Sequence, residues 1–270
     1  MALIGNVAAV RVTNYYKIDL SEMVMIDYRM MRQTILYICN KYFGLNQLMQ
    51  PETNISKPSK LFLAIIAMIA WFAVGLQFYL IILNRVTGVP ETIIRFFSFY
   101  TILTNILVAL YATFLLLKPN TPTGRFLICS GTVTALVTYI TLVGLIYNLI
   151  LRQLWKPEGW QWVADELLHV IVPLLFILFW IIWAKKIGLV WKNIFFWLVY
   201  PLVYLFLILI RGAFSGYYPY PFINVKILGY IKVFVNSGGI MITFFVLSGL
   251  FVAIAKIMNR QTRKGSTLKA

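Results

Sequence analysis

The chain has 270 residues, of which 61% are apolar and 12% charged, with a mean hydropathy of +0.84 and a formal net charge of +16. Soluble domains carry about 25% charged residues, so this composition excludes an ordinary soluble domain. So large a positive charge would suit nucleic acid, but its distribution along the chain argues for membrane anchoring instead.

Residues 1–60 hold seven basic and four acidic residues among scattered apolar ones, without the basic start, apolar core and small-residue cleavage site of a signal peptide. They read as a cytoplasmic N-terminal tail with an interfacial amphipathic helix over 20–49 and a polar linker over 50–60. The alternative is that translation starts later, at Met23, Met25, Met30, Met31 or Met49.

From residue 61 to 257 the chain reads as an all-α, integral membrane six-helix bundle. The predicted spans are 61–83, 94–117, 126–150, 163–184, 193–210 and 230–256. A backbone in hydrocarbon must satisfy its own hydrogen bonds, which makes each run a helix. Polar residues interrupt the sixth. Residues 258–270 form a basic cytoplasmic tail.

Orientation follows from Lys and Arg. One set of compartments holds seven in 1–60, two in 118–125, three in 185–192 and five after 255, in all 17. The other holds Arg85, Arg95, Arg152, Lys156, Arg211, Lys226 and Lys232. The positive-inside bias therefore predicts both termini in the cytoplasm of a cell inner membrane or plasma membrane, with membrane lipid as partner and no nucleic acid.

The two cysteines, Cys39 and Cys129, lie far apart with no CxxC or clustered His, so no metal site or disulfide framework is implied. Cys129 reads as a small packing residue. "GYYPYPFINV" in the loop after the fifth span and "WKPEGWQW" before the fourth read as interfacial aromatic belts.

"ADELLHVIVPLL", residues 164–175, contains the only histidine and half of the acids found after residue 60. Taking the span to start at Val163, His169 lies about 9 Å deep. On the same rise Thr101 lies about 10 Å deep in the second span and Asn236 about 9 Å deep in the sixth. Arg211 closes the fifth span on the same side. Ser98, Thr101 and Asn105 share a stripe, with Thr104 beside it, as do Lys232, Asn236, Gly239 and Thr243. Polar groups at membrane depth turn inward, so a shared polar cavity off the midplane is predicted. Asp165 stands four residues before His169 and is placed to accept from its imidazole. Pro173 has no N–H for the carbonyl of His169, so the helix should bend there. The competing reading makes Asp165 and Glu166 helix caps and Asn105 and Asn236 interhelical contacts, while mid-helix threonines such as Thr132, Thr134, Thr138 and Thr141 bond to their own backbone and pack.

"FSFYTILTNILVAL", "LLHVIVPLL" and "YPYPFINV" followed by "GYIKVFVN" resemble bacterial six-helix membrane proteins of the Pr6Pr type. These are similar to the androgen-induced and ADTRP-like proteins of animals, membrane threonine hydrolases that cleave fatty acid esters of hydroxy fatty acids. The resemblance covers about residues 60–255. It implies a threonine nucleophile at Thr101, with Thr104 competing, and a catalytic histidine at His169. The His-to-Pro spacing is one residue shorter here, and Ile223 and Asn224 replace the Leu-Asp of the bacterial loop.

The resulting expectation is an intramembrane hydrolase of lipid esters that uses no cofactor. Thr101 attacks, His169 accepts its proton and Asp165 orients the imidazole. Asn105, Asn236, Arg211 and Thr104 contact an amphiphilic substrate, the two asparagines offering donors to the oxyanion. No GxSxG elbow anchors a serine alternative. The rivals are a small-molecule or ion transporter, disfavoured because only Pro173 and Pro201 interrupt the spans and the polar level is off-centre, and a non-enzymatic membrane protein.

Overall fold

The structure is a computed structural model and describes residues 55–267, with side chains to residue 260. The proposed interfacial helix over 20–49, the alternative starts, Cys39, residues 50–54 of the linker and Lys269 of the basic tail lie outside the described residues.

Eight helices follow one another, with no strand among the described residues: α1 Lys57–Leu83, α2 Val89–Phe97, α3 Tyr100–Leu117, α4 Pro122–Ile128, α5 Ser130–Leu154, α6 Gly159–Ile182, α7 Asn193–Ser215 and α8 Val225–Thr267. Six of them (α1, α3, α5, α6, α7 and α8) are long and apolar enough to cross a membrane. The fold is an all-helical bundle of the kind a multi-pass membrane protein requires.

Four boundaries differ from expectation. The second span is broken: α2 ends in a tight turn at Ser98, Phe99 is extended (φ −83°, ψ 124°), and α3 begins afresh at Tyr100. A second break at Cys129, likewise extended, separates α4 from α5. α6 starts at Gly159, four residues early, so Asp165 and Glu166 lie in its second turn and are not caps. Glu166 instead pairs with Arg152 of α5 at 2.5 Å. α8 is interrupted where Gly229 takes φ 73°, a conformation open to glycine and costly for other residues.

α5 occupies the centre. Its most apolar stretch is 67% buried, against 22% for α7, which is therefore peripheral. α1 and α3 pack extensively, through small residues that let backbones approach: Ala67 and Ala70 on one, Val108, Ala109 and Ala112 on the other. Trp71 Nε1 donates to Thr113 Oγ1 across that seam at 3.1 Å.

Between helices in lipid the hydrophobic effect gives little, so packing and hydrogen bonds decide. Trp180 of α6, fully buried, donates to Thr134 of α5 at 3.0 Å, and Tyr139 of α5 donates to the Trp197 carbonyl of α7 at 2.6 Å. Such bonds contribute roughly 0.6 kcal/mol each in membrane bundles. Thr138 and Thr141 bond to the carbonyls of Thr134 and Val137, the local pattern expected of mid-helix threonines.

Candidate functional site

The site begins with a missing hydrogen. Pro173 offers no N–H, and around it the ladder of α6 shifts to i→i+5 spacing over Leu167–Ile171, the N–H of Val172 reaching the carbonyl of Leu167. In that register Leu168 would need the N–H of residue 173, which a proline lacks. Asn105 of α3 supplies the replacement: its Nδ2 donates to the Leu168 carbonyl at 3.2 Å and to the Thr101 carbonyl at 2.9 Å. Asn148 of α5 approaches the His169 carbonyl at 3.4 Å while donating to Gly144 at 2.7 Å. The proline thus produces a π-turn rather than a simple bend, satisfied from two neighbouring helices.

A second π-turn, Tyr147–Leu151, lies in α5. The two turns bring Tyr147 and His169 face to face, with ring centroids 3.8 Å apart and planes 13° apart. Gly144 makes this possible, since a Cβ there would stand 2.9 Å from the His169 carbonyl oxygen. Such turns recur at functional sites, and here they aim a histidine at a cavity.

His169 Nδ1 lies 2.9 Å from the backbone carbonyl of Asp165. A carbonyl only accepts, so Nδ1 carries the proton and Nε2 is left as the acceptor. The expected contact from the Asp165 carboxylate to the imidazole is not made, because the i−4 carbonyl already occupies Nδ1. The carboxylate accepts instead from Tyr147 Oη (3.2 Å), Trp155 Nε1 (3.1 Å) and Gln161 Nε2 (3.2 Å). Gln161 also donates to Gln77 of α1 at 2.8 Å.

Thr101 sits in the first turn of α3, where helix N–H groups lack intrahelical partners. Tyr220, from the loop between α7 and α8, fills that gap: its hydroxyl accepts from Thr101 N at 3.2 Å and lies 3.3 Å from Thr101 Oγ1. Tyr220 is buried, which pushes its phenol pKa up and keeps it a hydrogen-bond donor. The Tyr/Pro loop is therefore not wholly a headgroup belt, as its composition had suggested, but turns one ring inward. Asn236 of α8 fixes that course by donating to the Phe222 carbonyl at 2.9 Å.

Thr101 and His169 line one cavity of about 410 Å³, together with Asp165, Gln161, Tyr147 and Tyr220. Thr101, Tyr147 and Tyr220 also border a narrower crevice of about 100 Å³ between α7 and α8, walled by Leu202, Leu205, Ile240 and Met241. Ser237 lines this crevice with a buried hydroxyl that has no partner among the described residues. The crevice and the larger cavity thus meet at Thr101, Tyr147 and Tyr220. Thr101 and His169 make no hydrogen bond with each other among those the structure records.

The other expected site residues are placed elsewhere. Thr104 is fully buried against the Tyr200 hydroxyl at 3.2 Å and lines neither cavity. Both amide hydrogens of Asn105 go to backbone carbonyls, and Asn236 spends one on Phe222; neither residue lines a cavity, so neither is poised for an oxyanion. Arg211 lines neither cavity and joins a clasp instead: Glu91 accepts from Arg95 Nε at 2.9 Å and from Arg211 Nη2 at 2.7 Å, and both guanidinium groups lie over the Tyr217 ring, at 4.3 and 5.0 Å. The expected inward stripe of the sixth span is rotated. Lys232 and Gly239 are exposed, while Val233, Ser237 and Phe244 face the core.

Tyr147, Tyr220 and Ser237 were missed by sequence reasoning. A buried apolar stripe at 233, 244, 247 and 251 with Ser237 in phase was the available signal for Ser237; nothing local marked Tyr220. No family model matches the chain, and neither a curated protein nor a solved structure matches it.

Proposed function

We propose that this protein hydrolyses esters of membrane amphiphiles, with Thr101 as nucleophile and His169 as base. The observation that carries this reading is the junction itself. Thr101 stands where an apolar slot suited to an acyl chain meets a wider cavity whose few polar groups include a histidine with an acceptor nitrogen. The resemblance to bacterial six-helix proteins and to animal threonine hydrolases supports the same pair.

In this mechanism Thr101 Oγ1 bonds to the ester carbonyl carbon as its proton passes to His169 Nε2. The Tyr220 hydroxyl, already accepting from Thr101 N, turns its own proton toward the developing oxyanion, the role first expected of the asparagines. Collapse expels the alcohol, which takes the proton from His169. Water then attacks the acyl-threonine as His169 takes its proton; collapse breaks the acyl–Oγ1 bond, His169 returns that proton to Thr101 Oγ1, and the carboxylic acid leaves. Thr101 and His169 close on one another when substrate fills the chamber, since catalytic contacts tighten in the complex.

Both termini lie on the cytoplasmic side in this proposal, supported by the 17 basic residues on that side against seven on the other. The chamber then opens toward the outer leaflet of the plasma or inner membrane, and membrane lipid is the partner.

Fluorophosphonate labelling of the purified protein tests the reading: labelling and long-chain ester turnover are expected, both lost in Thr101→Ala. Wild-type protein that neither labels nor turns over such esters overturns it. One observation favours transport instead, the interruption of the second span at Phe99, since broken spans line transporter sites. Flux of a labelled amphiphile across vesicles without hydrolysis would select that alternative.

A further inference from the structure

Asp165 is the one formally charged residue lining the larger cavity; no lysine or arginine joins it there. Its two oxygens face only donors, namely the phenol of Tyr147, the indole of Trp155 and the amide of Gln161. Three donors and no acceptor among the recorded contacts are the partners that suit an ionised carboxylate. Arg152, whose guanidinium lies 5.4 Å from the centre of the Tyr147 ring, pairs with Glu166. A carboxylate at this depth without a counter-ion is costly, and buried charges are normally paired. Aromatic rings surround the space: Phe99, Tyr147, Trp155 and Tyr220 all line it.

We infer that this chamber takes an ammonium headgroup, so that the substrate class of the proposed hydrolase is a cationic or zwitterionic amphiphile. The ammonium sits against Asp165 and the ring faces, where both the charge and the ring quadrupoles favour it. The ester then falls at Thr101 and the chain enters the slot between α7 and α8. The inference rests on the proposed function for the position of the ester alone; the charge argument stands without any hydrolysis.

The test therefore uses probes that cannot be hydrolysed. Native mass spectrometry of the detergent-purified protein would compare the ether O-hexadecylcholine with its uncharged carbon isostere, O-hexadecyl-3,3-dimethylbutanol. A third arm, O-hexadecylethanolamine, separates a quaternary from a primary ammonium. The cationic ethers are expected to bind about tenfold more tightly than the isostere, as one desolvated cation–π contact would give. In Asp165→Asn that preference should fall to within about twofold, while binding of the isostere persists and reports the fold. Equal binding of cation and isostere by the wild type overturns the inference, with no variant needed. So does a preference that survives Asp165→Asn. Hydrolysis of neutral esters without cation preference would remove the headgroup assignment and leave the hydrolase standing; cation preference without hydrolysis would do the converse.

Discussion

The imidazole of His169 lies flat on the phenol of Tyr147, ring centroids 3.8 Å apart, while the hydroxyl of that same tyrosine donates to Asp165. The histidine is thus held by stacking on one side and by the Asp165 backbone carbonyl at Nδ1, and the Asp165 carboxylate reaches it only through the tyrosine. The side chains of Asp165 and His169, four apart on one helix, are coupled by a residue from another.

That coupling makes Gly144 sensitive. A methyl group there meets the His169 carbonyl at 2.9 Å, on the face where the two π-turns touch. Gly144→Ala is expected to lower stability by roughly 1–3 kcal/mol, as overpacking does. Thermal unfolding in detergent checks this, and an unchanged midpoint would mean that the two turns have room to separate.

The two threonines separate cleanly. Thr101→Ala and His169→Ala should each abolish ester turnover, and the double variant should cost little more, because the pair acts as a unit. Thr104→Ala removes a bond to Tyr200 outside both cavities, so activity should remain largely intact. Turnover by folded His169→Ala at the wild-type rate would return the histidine to a structural role.

Tyr220→Phe deletes the hydroxyl that meets the first turn of α3. Loss of an oxyanion donor costs on the order of 10²-fold in kcat. The expected signature is a fall in kcat with KM little changed, because the ring remains; a change confined to KM would make Tyr220 a wall of the pocket only.

Glu91 gives a pH dependence of stability. Its hydrogen bond from Arg95 holds the carboxyl below its ordinary value of 4.5, with Arg211 adding to the effect against partial burial. A depressed carboxylate pKa stabilises the folded state fully above the unfolded value and less as pH falls through the folded one. The unfolding midpoint of the wild type should therefore drop more steeply below pH 4.5 than that of Glu91→Gln. Parallel curves would show that the clasp contributes nothing measurable, the common result for exposed pairs.

Topology has its own test. A phosphatase reporter fused after residue 270 should be silent, and one inserted within 217–224 should be active outside the cytoplasm. The reverse pattern would invert the bundle and place the chamber in the inner leaflet.

By itself the sequence determined the helical class and the number of spans, because twenty apolar residues in lipid leave the backbone no alternative to a helix. It also singled out His169, Asp165 and Thr101, since ionisable and hydroxyl groups at that depth stand out against 61% apolar composition. What it left open was azimuth and partner. Only the tertiary structure decided that Thr101 rather than Thr104 borders the cavities, that Val233 and Ser237 rather than Lys232 and Asn236 face inward, and that Asp165 answers to Tyr147, Trp155 and Gln161. The physical reason is that depth is counted along one helix, whereas a contact between helices depends on how each is rotated and broken. The break at Phe99 and the π-turns at Tyr147 and Leu167 reset that rotation, and the turn at Leu167 combines a proline's missing N–H with donors from neighbours more than twenty residues away in sequence.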